Sequence, residues 1–144
     1  VVDFQITTAA TGRPIDTRWR VSKTGEGSER SGQLDPTAFT SGTHYNLGGR
    51  TDNVIPSGVA VAKLASGLYG LYDPAAGSGG DPRRVLAGFV GDIEGVELGA
   101  TPSASKPTFA LVINAIIDPT KLPVVAQRTN LGSAASVTGR FTYV

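Results

Sequence analysis

The chain has 144 residues, enough for one domain with its own core. With 19 glycines, 9 prolines and only 17% charged residues, it argues against long exposed helices and for short strands joined by turns. A net charge of +1 offers no basic face for nucleic acid, and the lack of cysteine excludes disulfides, thiolate zinc sites and thiol nucleophiles.

No apolar run approaches the ~20 residues that a membrane-spanning helix needs. The first residues lack a basic start followed by an apolar stretch, so no signal peptide is expected.

In chain order, Val2, Phe4 and Ile6 alternate with polar or partnered positions, a period-two pattern that predicts a short strand. Thr17 to Val21 repeats it, with Trp19 and Val21 on one face. Ser22 to Gln33 contains no apolar side chain and predicts a loop or linker. Two isolated apolar patches with polar connectors cannot build a core. Residues 1–33 therefore predict an extended N-terminal arm and linker, either partly disordered or ordering on a partner by strand addition.

From Leu34 the texture changes, and residues 34–144 predict a β-rich domain. Asp35-Pro36 predicts a short helical turn with Pro at its first position, leaving Phe39 directed to the core. Thr40 to Tyr45 predicts a turn and short strand, and 46–53 an exposed Gly-rich loop. Val59 to Leu64 and Leu68 to Tyr72, around the turn Ala65-Ser66-Gly67, predict a hairpin. Both parities of the first strand are apolar, as in a strand buried on two faces. Arg83 to Val90 predicts another strand, and Val96 to Leu98 a short one. Phe109 to Ile117 lies in the most buried strand, predicted over 107–117. Leu122 to Gln127 predicts a short helix opened by Pro123, and Val137 to Val144 a final strand.

Catalytic chemistry is weakly represented. His44 is the one histidine. A triad needs it beside a serine and a carboxylate, yet Ser57 sits in Pro-Ser-Gly rather than a Gly-x-Ser-x-Gly elbow. Gly77-Ser-Gly-Gly80 lacks the Lys and helix of a phosphate loop. Asp92, Glu94 and Glu97 predict solvent-facing strand carboxylates rather than an acid/base pair. One histidine and no cysteine make a metal site unexpected. The sequence thus predicts no catalytic residue, no metal site and no cofactor. Tyr69 and Tyr72 have opposite parity and form no single stripe; core or interface roles suit them. His44 and Tyr45 flank a strand and suit a structural hydrogen bond or an interface.

Several segments, in their order and spacing, resemble the lambda D-like phage head decoration proteins. They are Leu34-Asp35, Phe39-Thr-Ser-Gly-Thr-His-Tyr45, Ile55-Pro-Ser-Gly-Val-Ala-Val-Ala-Lys-Leu64, Gly67-Leu-Tyr-Gly-Leu-Tyr-Asp-Pro74 and Arg84-Val-Leu-Ala-Gly-Phe-Val90. Trp19 stands where an arm tryptophan of that family is expected. The resemblance covers residues 15–90 and is weaker from 91 to 144. The loop 46–53 is longer than usual for the family, and Lys121-Leu-Pro123 only hints at its C-terminal pattern.

The resemblance implies a mainly β, compact β-tulip-like domain with short helical turns and an extended N-terminal arm. It implies a non-enzymatic cement protein that binds the major capsid protein on the outer surface of the assembled phage head. Homotrimers at threefold and quasi-threefold positions would stabilise the virion shell against genome pressure. No nucleic acid or membrane partner is implied. Phe4, Ile6, Trp19 and Val21 are then the candidate capsid-binding side chains. His44, Tyr45, Tyr69 and Tyr72 are candidates for the trimer interface or the core. The competing expectation is an outward-facing carbohydrate-binding or adhesive β-module using the loops 46–53 and 73–82.

Overall fold

The computed structural model describes residues 15–131 and 136–144. In chain order its strands are β1 (Arg30–Gln33), β2 (Val54–Ile55), β3 (Ala60–Lys63), β4 (Tyr69–Leu71), β5 (Val85–Leu86) and β6 (Gly88–Val90). They continue with β7 (Val96–Glu97), β8 (Thr108–Val112), β9 (Asn114–Ile117), β10 (Ser136–Val137) and β11 (Arg140–Tyr143). The helical pieces among the described residues are short 3-10 turns. The protein is mainly β, as the Gly/Pro-rich, charge-poor composition predicts.

The main sheet is antiparallel in the order β1-β8-β6-β3-β4. Its two edge strands meet. Leu34 N–H donates to Pro107 O on the β8 side, and Asp35 N–H donates to Tyr69 O on the β4 side, both at 2.9 Å. Five antiparallel strands cannot close antiparallel, because the first and last run the same way. The Leu34–Tyr69 junction is accordingly parallel. Smaller pairings surround this closed sheet: β2 with β7 antiparallel, β5 with β10 parallel, and β9 with β11 parallel.

Strand parity sorts the side chains into two cores. Leu34, Val59, Val61, Val90, Phe109 and Leu111 fill the inside of the closed sheet, with Phe39, Tyr45 and Ile55 packed among them. Ala60, Ala62, Phe89 and Val112, from the opposite parity, join Trp19, Tyr72, Leu86, Ile117 and Leu122 in a second core. Two-sided burial explains why β3 reads as a continuous apolar run.

Several expectations are met locally. The hairpin forms, with Val61 opposite Leu71 and Lys63 opposite Tyr69. Asp35 caps the turn Pro36–Ala38 by accepting from Thr37 N–H, and Phe39 is buried.

Others need correction. Arg30–Gln33, expected within a loop, is the edge strand β1. Its two inward positions carry no apolar side chain: Arg30 stands opposite Leu111 and Gly32 opposite Phe109. A β-carbon on Gly32 would lie 2.9 Å from the rings of Phe109 and Tyr69, so the ring edges take the space of a side chain. The strand expected over 107–117 divides at Ile113 into β8 and β9. Ile113 O accepts from Arg140 N–H at 2.8 Å as the chain leaves one sheet for the pairing with β11. The strand expected over 83–90 begins instead with a 3-10 turn, Pro82–Arg84, and then divides into β5 and β6 at Ala87, whose N–H donates to Val61 O. The short helix expected at 122–127 and opened by Pro123 is a 3-10 turn that starts later, Val125–Arg128, and a further 3-10 turn, Pro119–Lys121, capped by Asp118, precedes it.

Candidate partner-binding face

Residues 15–21 are laid onto the body by backbone hydrogen bonds to the end of β9. Trp19 O accepts from Asp118 N–H at 2.8 Å, and Val21 N–H donates to Ile116 O at 3.0 Å. The Trp19 ring is 2% exposed. It stacks on Phe89 at 5.7 Å, and its Nε1–H donates to the buried Ser57 Oγ at 3.1 Å. Trp19 is therefore a core residue of this fold, and its ring is not presented as a surface anchor. Val21, expected on the same face two residues on, is still paired to Ile116 but is 53% exposed, so the shared parity does not give the two side chains the same cover. Phe4 and Ile6 lie outside the described residues.

Beyond Val21 the polar stretch folds back on an ion pair. Arg20 Nη1 donates to Glu29 Oε1 at 2.9 Å, and Glu29 Oε2 accepts from Gly27 N–H. The Arg20 guanidinium holds the Glu29 carboxyl below its usual range. A groove of about 530 Å³ opens here between Val21, Glu26, Ser57 and Ile93.

A second groove, of about 290 Å³, adjoins it and shares Ser57 and Ile93. Its rim mixes charges: Asp16, Arg50, Asp52, Glu94, Lys121 and Arg128 surround Tyr45, Val54 and Pro56. Arg18 holds the Asp16 carboxyl down to about 2, chiefly through its side-chain hydrogen bonds. The loop 46–53 lines one wall. Asn46 and Asn53, both at φ 53°, clasp it shut: Asn53 N–H donates to Asn46 Oδ1 at 2.9 Å and Asn46 Nδ2 to Asn53 Oδ1 at 2.8 Å. Asparagine tolerates this left-handed backbone better than most residues. Ile93, at the shared rim, is 61% exposed. Val21 and Ile93 thus border one groove, which Thr17 also lines.

The remaining candidate residues lie elsewhere. Tyr45 and Tyr72 are buried and belong to the two cores. Tyr69 is half-buried, edge-on to Phe109 at 5.5 Å. His44 is half-buried; its Nδ1 accepts from Thr40 N–H at 2.9 Å and its ring meets Phe39 edge-on. Burial pushes the imidazole pKa down. These contacts give His44 a structural role in the turn 40–45. Among the described residues no three His, Cys, Asp or Glu gather as a metal site would require.

Sequence reasoning missed Gln127, which is 1% exposed. Its Oε1 accepts from Ala60 N–H at 2.9 Å, and its Nε2 donates to Ala60 O and Tyr72 O at 3.0 Å. Nothing in the local sequence marks it, because its partners are 67 and 55 residues away. Ile93 was equally unmarked, a single apolar residue in a polar turn. Neither the sequence nor the fold finds a match among protein-family models, curated proteins or solved structures.

Proposed function

We propose that the protein is a phage head decoration protein. It binds the major capsid protein on the outer surface of the assembled head as homotrimers at threefold and quasi-threefold positions, and it acts without catalysis. The observation that carries this reading is the anchoring of the N-terminal segment at Trp19, beside exposed Val21 and Ile93. A segment fixed at its root beside an apolar-rimmed groove suits strand addition to a partner's edge. The resemblance over residues 15–90 supplies the identity of that partner.

The working part is then narrower than residues 1–33. Trp19 holds the mount together, and residues 1–14 with Val21 and Ile93 make the contact. Phe4 and Ile6 remain the proposed anchoring side chains. Three such segments on a trimer make the second and third contacts intramolecular, so avidity grows without new chemistry. A ligand that binds only the assembled shell raises the free energy of pulling subunits apart. The reading as a carbohydrate-binding module has less behind it: Tyr72 is buried, and Tyr69 is half-buried edge-on against Phe109, so the two rings form no joint platform for a sugar.

The test compares the full chain with a chain beginning at Ile15, each mixed with undecorated heads of the parent phage and sedimented. The full chain is expected in the pellet and the shortened chain in the supernatant, with the same buried-tryptophan emission in both. Equal pelleting of the shortened chain would remove the arm from the reading. No pelleting of the full chain would overturn the decoration role.

A further inference from the structure

Along the strands of the closed sheet every second residue faces the inside, and at one end the apolar series runs out. On β3 the inward series is Val59, Val61 and then Lys63. On β1 it is Leu34, Gly32 and then Arg30, which lies opposite the inward Leu111. Residues directly opposite in an antiparallel pair share a face. Two inward positions at the same mouth are therefore cations.

Arg30 and Lys63 line a groove of about 650 Å³ together with Arg140 from the start of β11. Its apolar lining includes Leu111, Ile113 and the half-buried Tyr69. A groove of about 370 Å³ continues from it along Ser31–Gln33 and shares Lys63 and Tyr69. Among the described residues no carboxylate lines either groove. The ion pairs of the described residues engage Arg18, Arg20, Arg50 and Arg83 and leave these three cations out. Three like charges around one partly apolar opening repel one another and favour an anionic occupant. In a chain whose net charge is only +1, this local excess is a feature of placement rather than of composition.

We propose that this mouth binds an acidic, extended peptide segment of a partner protein. One or two of its carboxylates sit among Arg30, Lys63 and Arg140, and an apolar neighbour lies on Leu111, Ile113 and Tyr69. The mixed lining selects a peptide, because a segment carrying both acidic and apolar side chains matches walls that are both cationic and apolar. A nucleic acid strand needs a longer basic track than three cations provide. None of these residues lines the two grooves beside Val21 and Ile93, so the proposal stands independently of the decoration reading.

The test titrates the full-length, isotope-labelled protein with a capped hexapeptide of alternating Glu and Leu, followed by amide chemical shifts. Expected are saturable shifts at Lys63, Tyr69, Ile113 and Arg140 that weaken as salt is raised. The pair K63Q/R140Q, both exposed positions, should weaken binding by about fivefold or more, while K23Q/K106Q leaves it unchanged. The proposal is overturned by equal loss in the two double variants, by equal binding of a Lys/Leu hexapeptide, or by no saturable shift. Tighter binding of a single-stranded oligonucleotide, or inorganic phosphate moving the same amides as strongly as the peptide, overturns the choice of ligand.

Discussion

Gly58 lies against the indole of Trp19, so close that a β-carbon on it would sit 2.7 Å from the ring's Cδ1. Gly58 also has φ +94° and donates its N–H to Val90 O at 2.8 Å. A side chain is therefore refused twice, by the backbone conformation and by the ring. The Pro56-Ser57-Gly58 segment is the socket for Trp19: Ser57 takes the indole N–H and Gly58 makes room for its face. Replacing Gly58 by Ala is expected to cost about 2–4 kcal/mol in urea unfolding, combining left-handed strain with displacement of the ring.

Trp19 is the one tryptophan, so its emission reports this socket directly. Trp19→Ala is expected to destabilise the protein by about 3–5 kcal/mol, the range for emptying a large aromatic site in a core. Removal of residues 1–14 should leave the emission maximum and urea midpoint of the full chain unchanged. Removal of 1–21 should lower the midpoint as Trp19→Ala does. An unchanged midpoint after the longer deletion would contradict the core role of Trp19.

Gln127 serves backbone groups that the sheet itself leaves over. Ala60 O also accepts from Tyr72 N–H, so loss of the amide orphans chiefly Ala60 N–H and Tyr72 O. Gln127→Leu, nearly equal in size, is expected to cost about 2–4 kcal/mol in chemical denaturation because two buried polar groups lose their partner. In Gln127→Glu a carboxylate faces the carbonyls of Ala60 and Tyr72. Its proton is then held more tightly in the folded state, so the variant should regain stability as the pH is lowered towards 4.

His44 gives the fold an acid-sensitive element. Burial lowers its folded pKa below the ordinary 6.5, and its neutral Nδ1 accepts from Thr40 N–H. The unfolded chain therefore takes up the proton first. The stability that His44 contributes is present above pH 6.5 and is lost as the pH falls through the folded value. Urea midpoints measured between pH 7.5 and pH 5 should fall in the parent and fall less in His44→Gln. Equal slopes would show that protonation of His44 is not linked to folding.

Tyr143 has the opposite linkage, at alkaline pH. Burial, aided by the neighbouring Tyr72, raises its phenol from 10 to about 12. An acid whose folded pKa is raised contributes stability below its unfolded pKa and loses it as the pH rises from 10 towards 12. Tyr143→Phe should flatten the alkaline limb of the stability profile. At pH 7 it should stay within about 1 kcal/mol of the parent, because the buried hydroxyl has no hydrogen-bond partner among the described residues.

How far these features can be read from sequence depends on how local their cause is. The sequence by itself determined the β class, the hairpin of β3 and β4, the two-sided burial of β3 and the Asp-Pro turn at 35–36. The β class follows from composition, and the others follow from turn chemistry or from apolar parity within about ten residues. It also marked Trp19, but not its destination, because an alternating pattern says which residues share a face and not what covers that face.

Tertiary structure alone decided the rest. The polar strand β1 exists because Gly32 admits the rings of Phe109 and Tyr69 from other strands. The break at Ile113 follows from the arrival of Arg140 on its carbonyl. Gln127 is buried because Ala60 and Tyr72, more than fifty residues away, leave backbone groups to be satisfied. The cationic mouth arises because closing the sheet at Leu34 and Tyr69 brings Arg30 towards Lys63, and the pairing of β11 with β9 adds Arg140 to the same opening. In each case the deciding partner comes from far along the chain, and a one-dimensional pattern carries no record of which distant residues will meet.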